Sequence, residues 1–246
     1  MHIAPPVFEK ARSYLDLQLT RPPLTGGVRG APPSQYVTIS RECGSGGSSL
    51  ARLLAGQLNR QQPAAEGQPH WTVFDQEIVQ HMLTSHDLSP KLARFLPEDK
   101  VSELTSSVGE IVGLHPNLWD LVQRTNHFLR ELATRGRVIL VGRGANFATA
   151  GVPGGIHIRL TAPTDHRDRH MARVMQCPLR EASTHNRQVD SARRSYVRSV
   201  FDCEVADPLH YDLLINTAQV GLDQAAAVVS ALVALRAPAP AAAAAV

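Results

Sequence analysis

The sequence predicts an α/β domain in which short apolar strands alternate with amphipathic helices. Five runs rich in aliphatic and β-branched residues have the length and composition of buried strands: residues 36–39, 71–74, 137–141, 156–160 and 211–217. Helical spacing of apolar residues occupies most of the sequence between them. A chain of 246 residues is long enough to bury one such core and to carry inserted segments.

A glycine-rich loop joins the first strand to the next helix. Its glycines and serines are Gly44, Ser45, Gly46, Gly47, Ser48 and Ser49, and the helix after it has an apolar face predicted at Leu50, Leu53, Leu54 and Leu58. Glycines let the backbone turn its N–H groups inward, and a helix N-terminus adds positive potential, so this layout is typical of a phosphate-binding loop. Ser48 and Ser49 are placed to reach a magnesium ion. In the alternative interpretation the loop is a tight turn whose serines cap the helix.

The loop departs from the P-loop pattern G-x-x-x-x-G-K-[ST] at two positions. Arg41 stands where the pattern has its first glycine, and Gly47 stands where it has lysine. Gly46 and Ser48 agree with the pattern.

The composition is mildly basic, with a net charge of +3 and a pI of about 9.0. Only three of the 25 basic residues are lysines. Arginine suits planar, two-pronged contact with phosphate, although genome base composition is an equally good explanation of the excess.

Cysteine usage and hydropathy favour a protein of the cytoplasm. Cys43, Cys177 and Cys203 have no C-x-x-C spacing, which argues against a disulfide framework or a zinc site and fits a reducing compartment. The sequence has no apolar run of about 18 residues and no signal-peptide pattern, so we expect no membrane segment.

The two ends of the chain differ in composition from the domain between them, which we predict to span residues 35–236. Residues 6–19 have the spacing of a short amphipathic helix that docks on the body of the protein or on a partner. The proline- and glycine-rich residues up to 34 predict a flexible linker, and the Pro/Ala residues 237–246 predict a disordered tail.

Polar residues follow the second and third strands, at the sheet edge where open α/β proteins place their ligands. Asp75 is a candidate site residue, or alternatively the N-cap of a helix over residues 76–83. Arg143 lies between two glycines, which suggests an anion contact rather than a surface turn. The largely helical residues 76–135 are too many for a simple crossover, so we expect an insertion that grips a substrate.

An arginine-rich helical hairpin is predicted over residues 163–205. From Arg159 to Arg198 the sequence has nine arginines against four acids. Such a hairpin over a phosphate site neutralises transition-state charge, whereas some of these residues would simply solvate a helix. Asp190 and Arg193 are also spaced for an ordinary helical ion pair. His166 and His170 are spaced as a metal pair, but no third ligand is evident and the surrounding arginines disfavour a cation.

With these motifs in place, the chain resembles the cytidylate kinase-like branch of the P-loop nucleoside monophosphate kinases. The resemblance covers residues 36–235 and is carried by the segments 38–47, 74–75, 141–144, 190–193 and 211–217. It implies a five-stranded parallel sheet flanked by helices, a helical acceptor-binding insertion and an arginine-rich lid. The implied reaction transfers the γ-phosphoryl group of ATP, with Mg2+, to a nucleoside monophosphate, and CMP or dCMP is favoured.

The resemblance also implies roles for individual residues. The segment Gly44–Ser49 would hold the ATP phosphates, with Ser48 or Ser49 near magnesium. Arg143 would grip the acceptor phosphate, and Asp75 would open the acceptor-binding region. Asp190 and Arg193 match the acidic and basic residues of the lid, and Arg187 and Arg194 beside them are further candidates for substrate binding.

Three positions depart from the family pattern. Gly47 replaces the P-loop lysine, Gly144 replaces an aspartate, and Asn186 replaces a lid arginine, although Arg187 is adjacent. Because one such electrostatic contact is worth roughly 3–4 kcal/mol, we expect Arg41 or a lid arginine to supply the missing charge.

Two other functions fit the same residues. The loop could bind nucleotide without catalysis, so that lid closure acts as a signal, or the protein could phosphorylate another small metabolite. Nucleic-acid binding is disfavoured because Tyr196 is the only aromatic residue among the hairpin arginines.

Overall fold

Five strands form one sheet in the computed structural model, which describes residues 5–19, 34–66, 68–75, 116–142 and 144–236. The strands are β1 Tyr36–Arg41, β2 Thr72–Asp75, β3 Val138–Val141, β4 Gly155–Thr161 and β5 Leu213–Asn216. All neighbouring strands run parallel, in the order β2-β3-β1-β4-β5. The predicted five-stranded parallel sheet flanked by helices is therefore confirmed.

The helices of the described residues are α1 Pro5–Leu19, α2 Gly47–Gln61, α3 Pro116–Arg135, α4 Ala145–Ala148, α5 Thr164–Met175, α6 Leu179–Phe201 and α7 Leu222–Arg236. A short 3-10 turn covers Pro208–His210. Within this part of the chain no helix has both the length and the apolarity that a bilayer span requires. The predicted linker, the tail, Arg143 and most of the insertion lie outside the described residues.

Successive side chains of each strand point to opposite faces of the sheet, so the core has two layers, one on each face. Val37 and Ile39 pack under α2 and α7, whereas Tyr36 packs with α1, α3 and α4 on the other face. The predicted apolar face of α2 needs one correction. Leu53 is 40% exposed, and Ala51 is buried in its place because the helix turns that side toward α7.

The strand boundaries also differ from the predicted ones by one or two residues. Asp75 is the last residue of β2 rather than the residue after it. Tyr211 and Asp212 precede β5, which begins at Leu213. At Asp212 the side-chain carboxylate, not a backbone carbonyl, accepts the hydrogen bond from the backbone N–H of His157 on β4, at 2.7 Å.

The N-terminal helix docks on the same chain. Ala11, Tyr14 and Leu15 are buried in the layer that contains Phe74. The Tyr14 hydroxyl donates a hydrogen bond to the carbonyl of Gly136 at 2.6 Å, and its ring meets Phe74 edge-on at 5.5 Å. This helix is therefore part of the core.

Candidate active site

The carboxyl ends of β1, β2 and β3 meet at one edge of the sheet. Ile39 and Asp75 both pair with Val141, so Asp75 and the start of the glycine-rich loop lie on either side of the end of β3. Asp75 and the glycine-rich loop are thus brought to one edge, as expected for an open parallel sheet.

The glycine-rich loop presents backbone N–H groups that find no acceptor among the residues that the structure describes. Gly44 and Gly46 have φ values of +80° and +88°, which turns successive N–H groups toward one side. Among the described residues, no hydrogen bond is formed by the N–H groups of Gly44, Gly46, Gly47, Ser48 and Ser49. The next N–H, that of Leu50, bonds to the carbonyl of Gly46 at 2.9 Å. We call the five groups the amide nest.

The serines do not cap α2, as a simple turn would require. The N-cap is Gly46, and no side chain accepts a hydrogen bond there. Ser45 is turned away, since its hydroxyl donates to the carbonyl of Glu42 at 2.7 Å. The half-buried Ser48 and Ser49 therefore keep their hydroxyls available next to the amide nest.

The Arg41 side chain runs across two glycines. A Cβ added at Gly47 would lie 2.9 Å from Cγ and 3.1 Å from Cδ of Arg41. A Cβ added at Gly142 would overlap the Arg41 guanidinium. The side chain therefore passes over the first residue of α2 and ends where β3 ends.

The α5–α6 hairpin is fastened to the loop by Arg167 and Asp190. Arg167 is only 8% exposed. Its guanidinium donates to the carbonyl of Cys43 at 3.0 Å and to Asp190 at 2.8 Å. The other Asp190 oxygen accepts from the N–H of Cys43 at 2.7 Å. A Cβ at Gly44 would lie 2.7 Å from the carbonyl oxygen of Arg167, so only glycine allows α5 to approach this closely.

Arg193 joins the same cluster. It lies 3.4 Å from Asp190, as the spacing of the two residues predicted, and it also donates to the carbonyl of Arg41 at 3.4 Å. The structure thus brings Arg41, Asp190 and Arg193 together at the loop.

Other predicted lid residues lie apart from this cluster. Arg187 and Arg194 are exposed, and the contact of the Arg187 side chain is with Thr184 at 3.4 Å. Asn186 is 1% exposed and donates to Asp168 at 2.7 Å, so it holds α6 to α5. Packing between the two helices therefore explains why an arginine does not fit at this position.

Two functional candidates were not singled out from the sequence, Arg159 and Arg167. Arg159 is 8% exposed, donates to the Ser40 hydroxyl at 3.0 Å and lies 5.7 Å from the centre of the Tyr211 ring. No carboxylate of the described residues forms an ion pair with it. The signal for Arg159 was a charged residue next to the apolar residues Ile158 and Leu160 of a strand. Arg167 had no signal beyond its place in the hairpin.

Cys43 is a buried part of the loop rather than a reactive thiol. Burial raises the pKa of the Cys43 thiol, and the nearby Arg193 offsets this only in part. Within the described ranges, no three His, Cys, Asp or Glu side chains cluster to hold a metal ion.

Comparisons with known proteins identify the family of this chain and solved structures that resemble it. A family model described as the cytidylate kinase-like family matches residues 36–219. A solved structure of an uncharacterized protein from Eubacterium ventriosum ATCC 27560 superposes with a TM-score of 0.58 at 18% identity, over 82% of this chain and 99% of that chain.

Two kinases superpose less closely. The APS kinase of Mycobacterium tuberculosis, in complex with AMPPNP and APS, gives a TM-score of 0.46 at 17% identity over 83% of this chain and 99% of that chain. The shikimate kinase of Bacteroides thetaiotaomicron gives 0.47 at 15% identity over 81% and 98%. The search of curated proteins finds no match. Because the family model spans the sheet from β1 to beyond β5, the chain belongs to the cytidylate kinase-like family.

Proposed function

We propose that this protein is a nucleotide kinase that transfers the γ-phosphoryl group of ATP to a nucleoside monophosphate, with CMP or dCMP as the favoured acceptor. The observation that carries the proposal is the amide nest, five N–H groups at the N-terminus of α2 that have no acceptor in the described part of the chain. Backbone N–H groups in folded proteins are nearly always paired, so a ligand with several acceptor oxygens fits this position.

The nest would hold the phosphates of ATP, and Ser48 or Ser49 would place a hydroxyl next to the Mg2+ that accompanies it. Arg41 and Arg193 would neutralise the charge that develops on the transferred group, with Asp190 holding Arg193 in place. Asp75, Arg143, Arg187 and Arg194 would bind the acceptor.

Positioning and charge neutralisation account for most of catalysis in phosphoryl transfer. A phosphate oxygen of the acceptor forms a bond to the γ-phosphorus while the bond to the ADP oxygen breaks. An ionised acceptor phosphate has no proton to lose, so the step needs no protein base.

One observation favours a second candidate, a nucleotide sensor that binds without turnover. Arg167 and Asp190 already fasten the α5–α6 hairpin to the loop backbone. Nucleotide binding beside these contacts would change how tightly the hairpin is held, which is the property a sensor needs.

A coupled ADP-release assay with Mg-ATP and a panel of nucleoside monophosphates separates these functions. The proposal predicts turnover of about 1 s⁻¹ or faster on CMP or dCMP, within the usual range of enzymes. ATP binding in a thermal-shift assay without turnover on any acceptor would favour the sensor. Turnover limited to slow ATP hydrolysis, with no acceleration by CMP, would favour a different acceptor.

A pair of glycine variants tests the nest itself. Gly46→Ala strains a residue with a φ of +88° inside the nest, whereas Gly151→Ala imposes similar strain at +82° with no neighbour within 4 Å. We expect the first variant to lose ATP binding and the second to retain it. Equal loss in both would show that the nest does not bind the nucleotide.

A further inference from the structure

We propose that Arg41 supplies the charge of the missing P-loop lysine from the end of β1, and that position 47 is glycine because the Arg41 side chain occupies the space beside it. Gly142, whose φ of +85° by itself favours glycine, gives the guanidinium room after β3. This inference rests on the proposed function. It adds the position from which Arg41 acts, and it identifies Gly47 as the residue that leaves room for the Arg41 side chain.

The sequence and the structure point to an exchange between two positions. The P-loop pattern has glycine where this chain has Arg41, and lysine where it has Gly47. The two departures are therefore reciprocal, with one cation lost and one gained at opposite ends of the loop. The cation that the pattern places at position 47 stands at position 41 in this chain.

The packing at Gly47 explains why a lysine at position 47 and an arginine at position 41 do not fit together. Cγ, Cδ and Cβ of Arg41 lie 2.9, 3.1 and 3.3 Å from the position of a Cβ at Gly47. Real Cβ atoms do not approach other atoms this closely, so a lysine at this position would displace Arg41. The loop has room for only one of the two long side chains.

The position of the Arg41 guanidinium is defined by its contact with Gly142. The Arg41 guanidinium lies against Gly142, the first residue after β3, in the place that a Cβ would take. Gly142 directly precedes Arg143, the predicted contact of the acceptor phosphate. The guanidinium therefore lies at the carboxyl end of β3, beside the glycine-rich loop, where its planar fork can contact a phosphoryl group.

The hairpin arginines nearest the loop are less suited to this role. Arg167 and Arg193 share the Asp190 carboxylate, and Arg167 also pairs with Glu42 at 3.4 Å. Arg167 is also occupied by the carbonyls of Cys43 and Ala162. These contacts use Nε and Nη1 of Arg167 to fasten the hairpin to the loop.

The direct test exchanges the two residues back. The variants are Arg41→Gly, Gly47→Lys and the double variant, whose loop sequence matches G-x-x-x-x-G-K-S. We expect kcat to fall about 10²–10³-fold in Arg41→Gly, the usual loss for one such contact. Gly47→Lys should also lose activity because the two side chains compete. The double variant should recover to within about tenfold of the wild type, with the larger recovery in kcat rather than in KM.

A second set of variants tests the packing of Arg41 against position 47 without introducing a charged side chain. Gly47→Ala should lower kcat in the wild type but cause no further loss in the Arg41→Gly background, because the side chain that it displaces is then absent. The matched control is Gly56→Ala in the same helix, where the nearest atom, Arg60 Nη1, lies 3.5 Å from the added Cβ. Gly56→Ala should leave kcat unchanged.

The inference is overturned by either of two results. One is an Arg41→Gly variant with wild-type kcat, and the other is a Gly47→Ala loss that is the same in both backgrounds. If the double variant fails to fold, as judged by thermal unfolding, the Gly47→Ala cycle decides alone.

Failure of the proposed function gives a different result, the absence of wild-type turnover on every acceptor. The same variants are then compared by calorimetric titration with Mg-ATP. Weaker binding in Arg41→Gly and restored binding in the double variant would support the exchange. Unchanged binding across the series would contradict it.

Discussion

Asp190 links the loop to the α5–α6 hairpin through both of its carboxylate oxygens. One accepts from the N–H of Cys43, and the other pairs with Arg167, whose side chain is only 10% exposed. Removing the negative charge takes away the nearer of the two carboxylates that pair with the buried Arg167 guanidinium, and leaves only Glu42 at 3.4 Å. Such a loss is far more costly than the loss of a surface pair.

Asp190→Asn should therefore lower the free energy of unfolding by about 3 kcal/mol. The matched control is Asp165→Asn, which breaks an exposed pair with Arg169 and should cost less than about 0.5 kcal/mol. Urea denaturation measures both. Similar costs for the two variants would show that the Asp190 contacts do not hold the hairpin.

His157 makes stability depend on pH. Burial lowers the pKa of His157, Arg236 lowers it further and Asp212 opposes the shift. Below the unfolded-state pKa of about 6.5, the unfolded state therefore binds more protons at this residue than the native state does. The stability that His157 contributes is complete above that pH and is lost as the pH falls.

We expect His157→Gln to reduce the loss of stability between pH 7.5 and 5.5, compared with the wild type in urea denaturation. One histidine contributes at most about 1.4 kcal/mol per pH unit. The exposed His70→Gln is the control. If His157→Gln left the slope unchanged, the lowered pKa would not be the cause.

At the scale of elements, the sequence predicts most of the fold because each strand and helix has a local pattern. The five strands and the loop before α2 were predicted from apolar runs and glycines. Asn186 could not be interpreted in this way, since its partner Asp168 lies on another helix. Leu53 was misplaced because the position of α7, not the helical period alone, decides which side of α2 is buried.

The docking of α1 is also an element-scale property. The sequence predicted the helix but left open whether it binds its own chain. The hydroxyl of Tyr14 supplies part of the answer, because it reaches the carbonyl of Gly136 after α3. Tyr14 and Gly136 are 122 positions apart in the sequence, so no local sequence pattern predicts this contact.

Tyr14→Phe should lower the free energy of unfolding by about 1 kcal/mol, the usual net value of one hydrogen bond. The exposed Ser13→Ala on the same helix should have little effect. Chemical denaturation distinguishes the two. A Tyr14→Phe variant as stable as the wild type would show that the hydroxyl does not secure the helix.

At the scale of the whole molecule, the strand order concentrates the candidate site. With β1 between β3 and β4, the glycine-rich loop, the end of β3 and the segment that follows β4 converge above one edge of the sheet. The sequence predicted the loop and the convergence. It did not predict that Arg41 lies across Gly47 and Gly142, because that contact joins three separate positions in the chain.

The most direct test of the account follows the phosphoryl group itself. Purified protein is incubated with CMP and Mg-ATP labelled at the γ-phosphate, and labelled CDP is quantified after chromatography. The account predicts labelled CDP from the wild type and a rate about 10²–10³-fold lower from Arg41→Gly. ATP binding by the wild type without label on CMP, dCMP or any other nucleoside monophosphate would contradict it.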